Sequence, residues 1–451
     1  MKKLLVAAAI ASCGILKLSA QDTPHGGAMP AAQQNALMVF HTYCGGCHTG
    51  TAKSVSGPSL DKFDIERIWE DQEAWARAYR HLQAGTMPPV GAKRPDRATA
   101  DMALKALEDA VASDSKPDVS GVNVAKRLAK LLWNSEPDEV LLQAVSGLNN
   151  RADVEAQVRR MLADERARAF VAQFFFPWLG IDGLAKQRPD STHFPDYDIS
   201  LTEAFSDETE LFLLSQLREN DDPIELWTAD YSFLNEQLAK HYGIVGIKGS
   251  EFRRVSLQAA PERGGLLGHG SVLIATSRPS DAAYGGYTDP ASRAKWVLNH
   301  YLGVRTPYGF PGAGPMVPPD KPITPQTRSL PATPCVGCHR NFFPLGYALE
   351  NFDPVGRWRT EDRFGAVDAS GAFVDGTPMN GVQDLREVLL ARPDAFRTTI
   401  AEALLVYATT GEIKVNQVNR GDAATLFEAR RILRDVPDVR WSTLIAEIVR
   451  R

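Results

Sequence analysis

Cysteine is scarce here: five residues in 451. That scarcity excludes a small disulfide-built scaffold. A basic excess is also missing. The net charge of −5 gives no field that would hold nucleic acid. Beyond the first twenty residues, no apolar run approaches the roughly 20 residues needed to cross a bilayer. Low-complexity sequence is confined to one proline-rich stretch. Apolar residues at 44% and charged residues at 23% are ordinary for a globular protein. The length exceeds what one core organises and implies about two to four domains.

The N-terminus stands apart. "MKKLLVAAAIASCGILKLSAQD" runs from Lys2 and Lys3 through an apolar stretch to Ser19 and Ala20. This pattern predicts an export signal at 1–20, cleaved after Ala20. Ile10 to Gly14 also has the form of a lipobox, in which Cys13 is lipidated. Both readings place the mature chain in the periplasm, soluble in one and lipid-anchored in the other, with no transmembrane span.

Cys13 belongs to this leader, and the other four cysteines all fall in two short units. These are "CGGCH", with Cys44, Cys47 and His48, and "CVGCH", with Cys335, Cys338 and His339. In an exported chain, C-x-x-C-H reads as covalent haem attachment. Each thiol adds to one vinyl group, which requires sulfurs about a helical turn apart. The following histidine supplies the proximal nitrogen to iron. The alternatives are weaker. Zinc-ribbon cysteine pairs lie closer in sequence than Cys47 and Cys335. A thioredoxin-like pair needs a βαβ context and no histidine. A disulfide across four residues is strained.

Each unit is followed by a candidate sixth ligand. Met87, in "GTMPP", lies 39 positions after His48, and Met379, in "GTPM", lies 40 after His339. A thioether favours reduced iron, which suits electron transfer. The repeated spacing argues more strongly than either methionine alone. Met316, His300 and His269 are rivals without a comparable spacing. In "SGPSL", the Pro58 carbonyl is placed to accept the His48 Nδ1–H. Arg357 and Arg359 are candidates to pair with haem propionates.

Helical apolar spacing recurs along the chain. It predicts helices before Cys44, over 97–112, 123–133, 153–179 and 207–217, up to Gly243, and over 291–303. After Met379 further helices follow, one stopping at Gly411. "GAVDASGAFVDG" has hairpin chemistry around Ser370-Gly371. The proline-rich segment 305–334 reads as a connector.

Residues from about Ala31 to Ser113 resemble a class I cytochrome c, on "CGGCH", "GPSL" and "GTMPP" in that order. The resemblance implies that the first and closing helices cross beside the haem. A second resemblance covers nearly the whole mature chain. "RLAKLLWNSEPDEVLL", "VRRMLADERARAFVAQFFFPWLGI", "DYSFLNEQLAKHYGI", "ERGGLLGHGSVLIATS" and "CVGCHRNFFPLGYALENFDPVGRWR" are similar to the large c-type cytochromes of planctomycetes, whose middle regions are domains of unknown function. The chain departs from that family at Phe342-Phe343-Pro344, where Ile-Asp-Pro is usual, and at Met379, where an apolar non-ligand is frequent. Ligation by Met379 is therefore a local inference.

The expected architecture is mainly α. A cytochrome c domain spans 31–115, a central multi-helix domain 118–304, and a helical haem domain with a short hairpin 335–451. The expected function is electron transfer by two covalently bound haem c groups between redox donor and acceptor proteins that the sequence does not identify. The alternative is a two-haem peroxidase or related oxidoreductase with an open second haem, for which Glu350, Asp353 and His269 are the polar candidates. A third reading makes the central region a docking module, with Trp178, Trp227 and Tyr287 lining a groove. Under the first reading the central region is expected to hold the two haem domains together.

Overall fold

Apolar residues three and four apart, Ala36, Val39 and Phe40, give helix α1 (Ala31–Tyr43) one buried stripe. Helix α2 (Gln72–Gln83) buries Trp75 and Tyr79. Helix α3 (Arg97–Ala110) starts at Asp96, whose side chain accepts the Thr99 N–H at 2.7 Å. α1 packs against α3, and Phe40 meets Trp75 edge-on with ring centroids 5.3 Å apart. Burial of each such aromatic is worth about 2–3 kcal/mol. This is a computed structural model, and it describes residues 31–48, 72–111, 120–281, 286–304, 336–413 and 422–451, with backbone alone for 336–341. The leader with Cys13, the loop of Pro58, the connector, Met316 and Cys335 lie outside the described residues.

The central region is helical, as its periodicity predicts. It contains α4 (Gly121–Trp133), α5 (Arg151–Ala163), α6 (Ile199–Glu219), α7 (Glu236–Tyr242) and α8 (Pro290–His300). The expected continuous helix over 153–179 is broken. Asp164 leaves helical geometry (φ −75°, ψ 147°) and its carboxylate caps the Arg166 N–H. The chain then re-forms as helix over 165–179, widened to a π-helix at Val171–Phe175, and places Phe170, Phe174, Phe175 and Trp178 inside the core. α7 stops at Gly243, which takes the left-handed conformation expected of it. α8 ends at His300, before Gly303.

In the C-terminal region, α9 (Val336–Tyr347) packs on α8 so closely that a Cβ at Gly346 would stand 1.9 Å from the Pro290 carbonyl oxygen. The region continues with α10 (Val382–Leu390), α11 (Pro393–Thr410), α12 (Ala423–Asp435) and α13 (Trp441–Val449). α11 ends at Gly411, with φ +72°. Strands are short. β1 (Tyr231–Leu234) pairs antiparallel with β2 (Arg253–Ser256), and β3 (Ser370–Ala372) with β4 (Pro378–Asn380). Ser370 and Gly371 thus lie in a strand. The turn is at Asp375-Gly376, where Gly376 supplies φ +93° and the Asp375 carboxylate accepts the Thr377 N–H at 2.9 Å.

Among the described residues, one apolar cluster takes in Ala84 of the first unit and runs from Val124 to Val449, joining the central helices to α11 and α13. A smaller cluster holds α1, α2 and α3 together with Ala423, Leu426 and Phe427 of α12. The first unit therefore rests directly on α11 and α12, instead of reaching the C-terminal region only through the central helices. Polar contacts seal this junction. Arg80 on α2 pairs with Glu402 on α11 at 2.5 Å, both buried. Glu108 accepts from the Tyr79 hydroxyl at 2.6 Å and from Arg430 on α12 at 2.8 Å.

Candidate functional site

The end of α1 carries the first motif. The Phe40 carbonyl accepts the N–H groups of Cys44 and Gly45, and the Cys44 carbonyl accepts those of Cys47 and His48. The chain from Cys44 to His48 therefore continues as tight turns. The two cysteines sit about one turn apart, with His48 directly after them. Gly45 is required here, because a Cβ would stand 2.8 Å from the His41 carbonyl oxygen. Cys44 is half-buried, Cys47 is exposed, and neither is in a disulfide. Burial, and then the neighbouring Cys47, push the Cys44 thiol up to about 11. A thiol so reluctant to ionise is a poor exchange nucleophile, which weighs against a thioredoxin-like pair.

His48 Nδ1 is buried and has no hydrogen-bond partner among the described residues. The predicted acceptor, the Pro58 carbonyl, lies outside them. A histidine beside two turn-spaced thiols, its Nδ1 without a partner among the described residues, fits a c-type haem, for which Cys44 and Cys47 would be the thioether donors and His48 the proximal ligand.

Met87 is half-buried in the loop after α2, followed by a cis bond to Pro88. This loop is well held. Arg94 donates to the carbonyls of Gly85, at 2.7 Å, and Pro88. Met87 lines a cavity of about 530 Å³ between the first unit and the C-terminal helices, together with Gly85, Arg94, Asp375 and Arg392. No sequence pattern signals this junction. Its members are more than 280 positions apart and meet only through the packing of α2 on α11 and α12.

Met379 is buried on β4, opposite Gly371 of β3. A Cβ at Gly371 would stand 2.8 Å from Pro344 Cβ, so this hairpin lies against α9, the helix that carries Cys338 and His339. The hairpin also touches the first unit. A Cβ at Gly376 would stand 2.9 Å from Val90 Cγ2. The fold thus brings the two Gly-Thr methionine segments to one junction.

The other candidates have structural occupations. His300 lies between the carbonyls of Trp296 and Trp178 inside the core. His269 is buried against Phe212, its Nδ1 bonded to Thr209. Glu350 accepts from Thr288, Arg293 and Arg359, and Asp353 accepts the N–H groups of Val355 and Arg357. Arg357 also reaches His241 and Asp196, so both arginines suggested for propionates already have protein partners. Trp178 and Trp227 are core residues. Among the described residues, no three His, Cys, Asp or Glu side chains converge as a metal-ion site.

The described residues thus form a mainly helical assembly with a C-x-x-C-H turn at the end of α1 and with Cys338 and His339 of the second unit on α9. Residues 119–244 match the family model PSD4, a protein of unknown function (DUF1592), and residues 263–362 match PSCyt3, a protein of unknown function (DUF1588). Both are domains found in planctomycete-type multihaem cytochrome c proteins. The second motif falls within the PSCyt3 match, and the first lies outside both. No curated protein and no solved structure matches the chain.

Proposed function

We propose that this protein is an exported two-haem c-type cytochrome that transfers electrons. Its haems are bound through Cys44 and Cys47 and through Cys335 and Cys338. His48 and His339 are the proximal ligands, with Met87 and Met379 as sixth ligands. The observation that carries this reading is the turn at the end of α1, which spaces two free thiols about one turn apart and follows them with a histidine whose Nδ1 has no partner among the described residues. Support comes from the repeated motif, from the packing of α1 against α3, and from the two family models. When bound, a c-type haem supplies reversible one-electron chemistry. The chain's part is to exclude water, fix the ligand rings and hold the methionine loops in place.

The carrier reading is favoured over a peroxidase because Glu350 and Asp353, two of the polar groups proposed for an open haem, are already engaged by protein partners. The test is an iron and haem count on protein made in a host that matures c-type cytochromes, combined with the reduced absorption spectrum. Two haems per chain with low-spin c-type bands are expected. A haem-free chain contradicts the proposal.

A further inference from the structure

The cleft between the first unit and the C-terminal helices holds an unbalanced set of charges. Its wall carries six cations, Arg94, Arg97, Lys105, Arg392, Arg430 and Arg434, against five carboxylates. One carboxylate, Asp96, serves as the cap of α3. Five of the cations have acidic partners. Arg97 pairs with Asp101 and Asp394, Lys105 with Asp109, and Arg392 with Asp375. Arg430 and Arg434 share Glu108.

Arg94 is the exception. Among the described residues it has no carboxylate within ion-pair distance, and it donates to the carbonyls of Gly85 and Pro88. Those two bonds leave N–H groups of a five-donor guanidinium for a further acceptor. Asp375 attracts Arg94 without bonding to it, since its carboxylate is held by Arg392 and by the Thr377 N–H. Arg94 is half-buried, and burial lowers its pKa, so an anion placed beside it would relieve the cost of its charge. Arg392 stands against the same glycine, its Nε 2.9 Å from where a Cβ at Gly85 would lie. Elsewhere the wall is apolar, with Leu82, Pro95, Leu104 and Ala391. The volume of about 530 Å³ falls in the range of sites that enclose small molecules, roughly 300–1,000 Å³.

We propose that this cleft binds a small organic monocarboxylate, whose carboxylate pairs with Arg94 and whose apolar body lies against Leu82, Leu104 and Ala391. One unmatched guanidinium selects a single negative charge, and the planar fork suits a carboxylate. The apolar wall disfavours a strongly hydrated ion such as phosphate. Arg94 also ties the carbonyls on either side of Met87, so an occupied cleft tightens that loop. The site is built from protein groups alone and stands whether or not the first motif carries haem.

The test is calorimetric titration of the full mature chain with phenylacetate, and with phenylacetamide as the neutral molecule of the same shape. Phenylacetate is expected to bind at one site per chain with a Kd below about 1 mM, and phenylacetamide at least about tenfold more weakly. Amide exchange across residues 85–90 is expected to slow with phenylacetate and not with phenylacetamide. Arg94→Gln is expected to abolish the binding. Because that variant also unties the Met87 loop, Ala100→Glu supplies a second reading. It sets a carboxylate on the α3 wall of the cleft and leaves the Arg94 bonds to Gly85 and Pro88 in place. It is expected to weaken phenylacetate at least about tenfold with an unchanged unfolding midpoint. Equal affinity for the two compounds, undiminished binding in either variant, or no saturable binding by the wild type overturns the proposal.

Discussion

Arg392 lies against Gly85: a Cβ at position 85 would stand 2.9 Å from the Arg392 Nε. Gly85 has φ +64°, a conformation that costs any other residue about 1–3 kcal/mol. The same guanidinium is paired with Asp375 and lies over Phe373, 4.2 Å from the ring centroid. The Met87 loop is thus braced from across the junction by the turn that leads to Met379. Gly85→Val should destabilise the protein by about 1–3 kcal/mol and speed amide exchange across residues 85–90. Unchanged exchange in that segment would show that the brace does not hold the loop.

The Arg80–Glu402 pair fastens α2 to α11 inside the protein. Arg80→Ala leaves a buried carboxylate without its partner and should cost about 3–5 kcal/mol. Arg80→Met with Glu402→Leu removes both charges and should recover most of that loss. Chemical denaturation of the three proteins gives the comparison, and equal losses in the single and double variants would contradict it.

Glu208 is fully buried, with Tyr242 and Ser232 donating to it at 2.6 and 2.7 Å. Burial raises its pKa from 4.5 to about 7 against these donors and Arg263. In the unfolded chain the carboxyl ionises near 4.5, while in the folded chain it keeps its proton to about 7. The folded state therefore binds more protons across that window. Its contribution is fully present below the lower value and is lost as pH rises through the upper one. The loss is about 3 kcal/mol. His241, His269 and His300 act in the opposite direction, because burial lowers their pKa values to about 4, 3 and 4. The difference between wild type and Glu208→Gln isolates the carboxyl. Stability of the wild type relative to the variant should fall as pH rises, and a flat difference would show that Glu208 is ionised throughout.

Met379 separates packing from ligation. It is buried in the main core, so Met379→Ala should cost about 2–5 kcal/mol from the cavity alone. Met379→Leu nearly conserves volume and should cost less than about 1.5 kcal/mol. As a sixth ligand, Met379 predicts that the leucine variant stays folded while the second haem turns high-spin. A folded variant with unchanged spectra assigns Met379 to the core alone.

Helix existence was legible wherever apolar residues recur at three and four positions, as in α1, α3 and α4, and helix stops were legible at Gly243 and Gly411. Local competition was not. Asp164 breaks an apolar periodicity that continues past it, because its carboxylate caps the next turn. Asp375-Gly376 takes the hairpin turn from Ser370-Gly371, because Gly376 supplies positive φ where Asp375 closes the turn. In the candidate site, the cysteines and His48 were readable from spacing alone. Arg94, Asp375 and Arg392 were not, since what distinguishes them is contacts between segments far apart in the chain.

The most direct measurement is the intact mass of the mature protein, followed by peptide mapping, after expression in a host that attaches haem to C-x-x-C-H motifs. The account predicts the added mass of two haem groups, one on the peptide with Cys44 and Cys47 and one on the peptide with Cys335 and Cys338. A chain of unmodified polypeptide mass, with four free thiols, would contradict it.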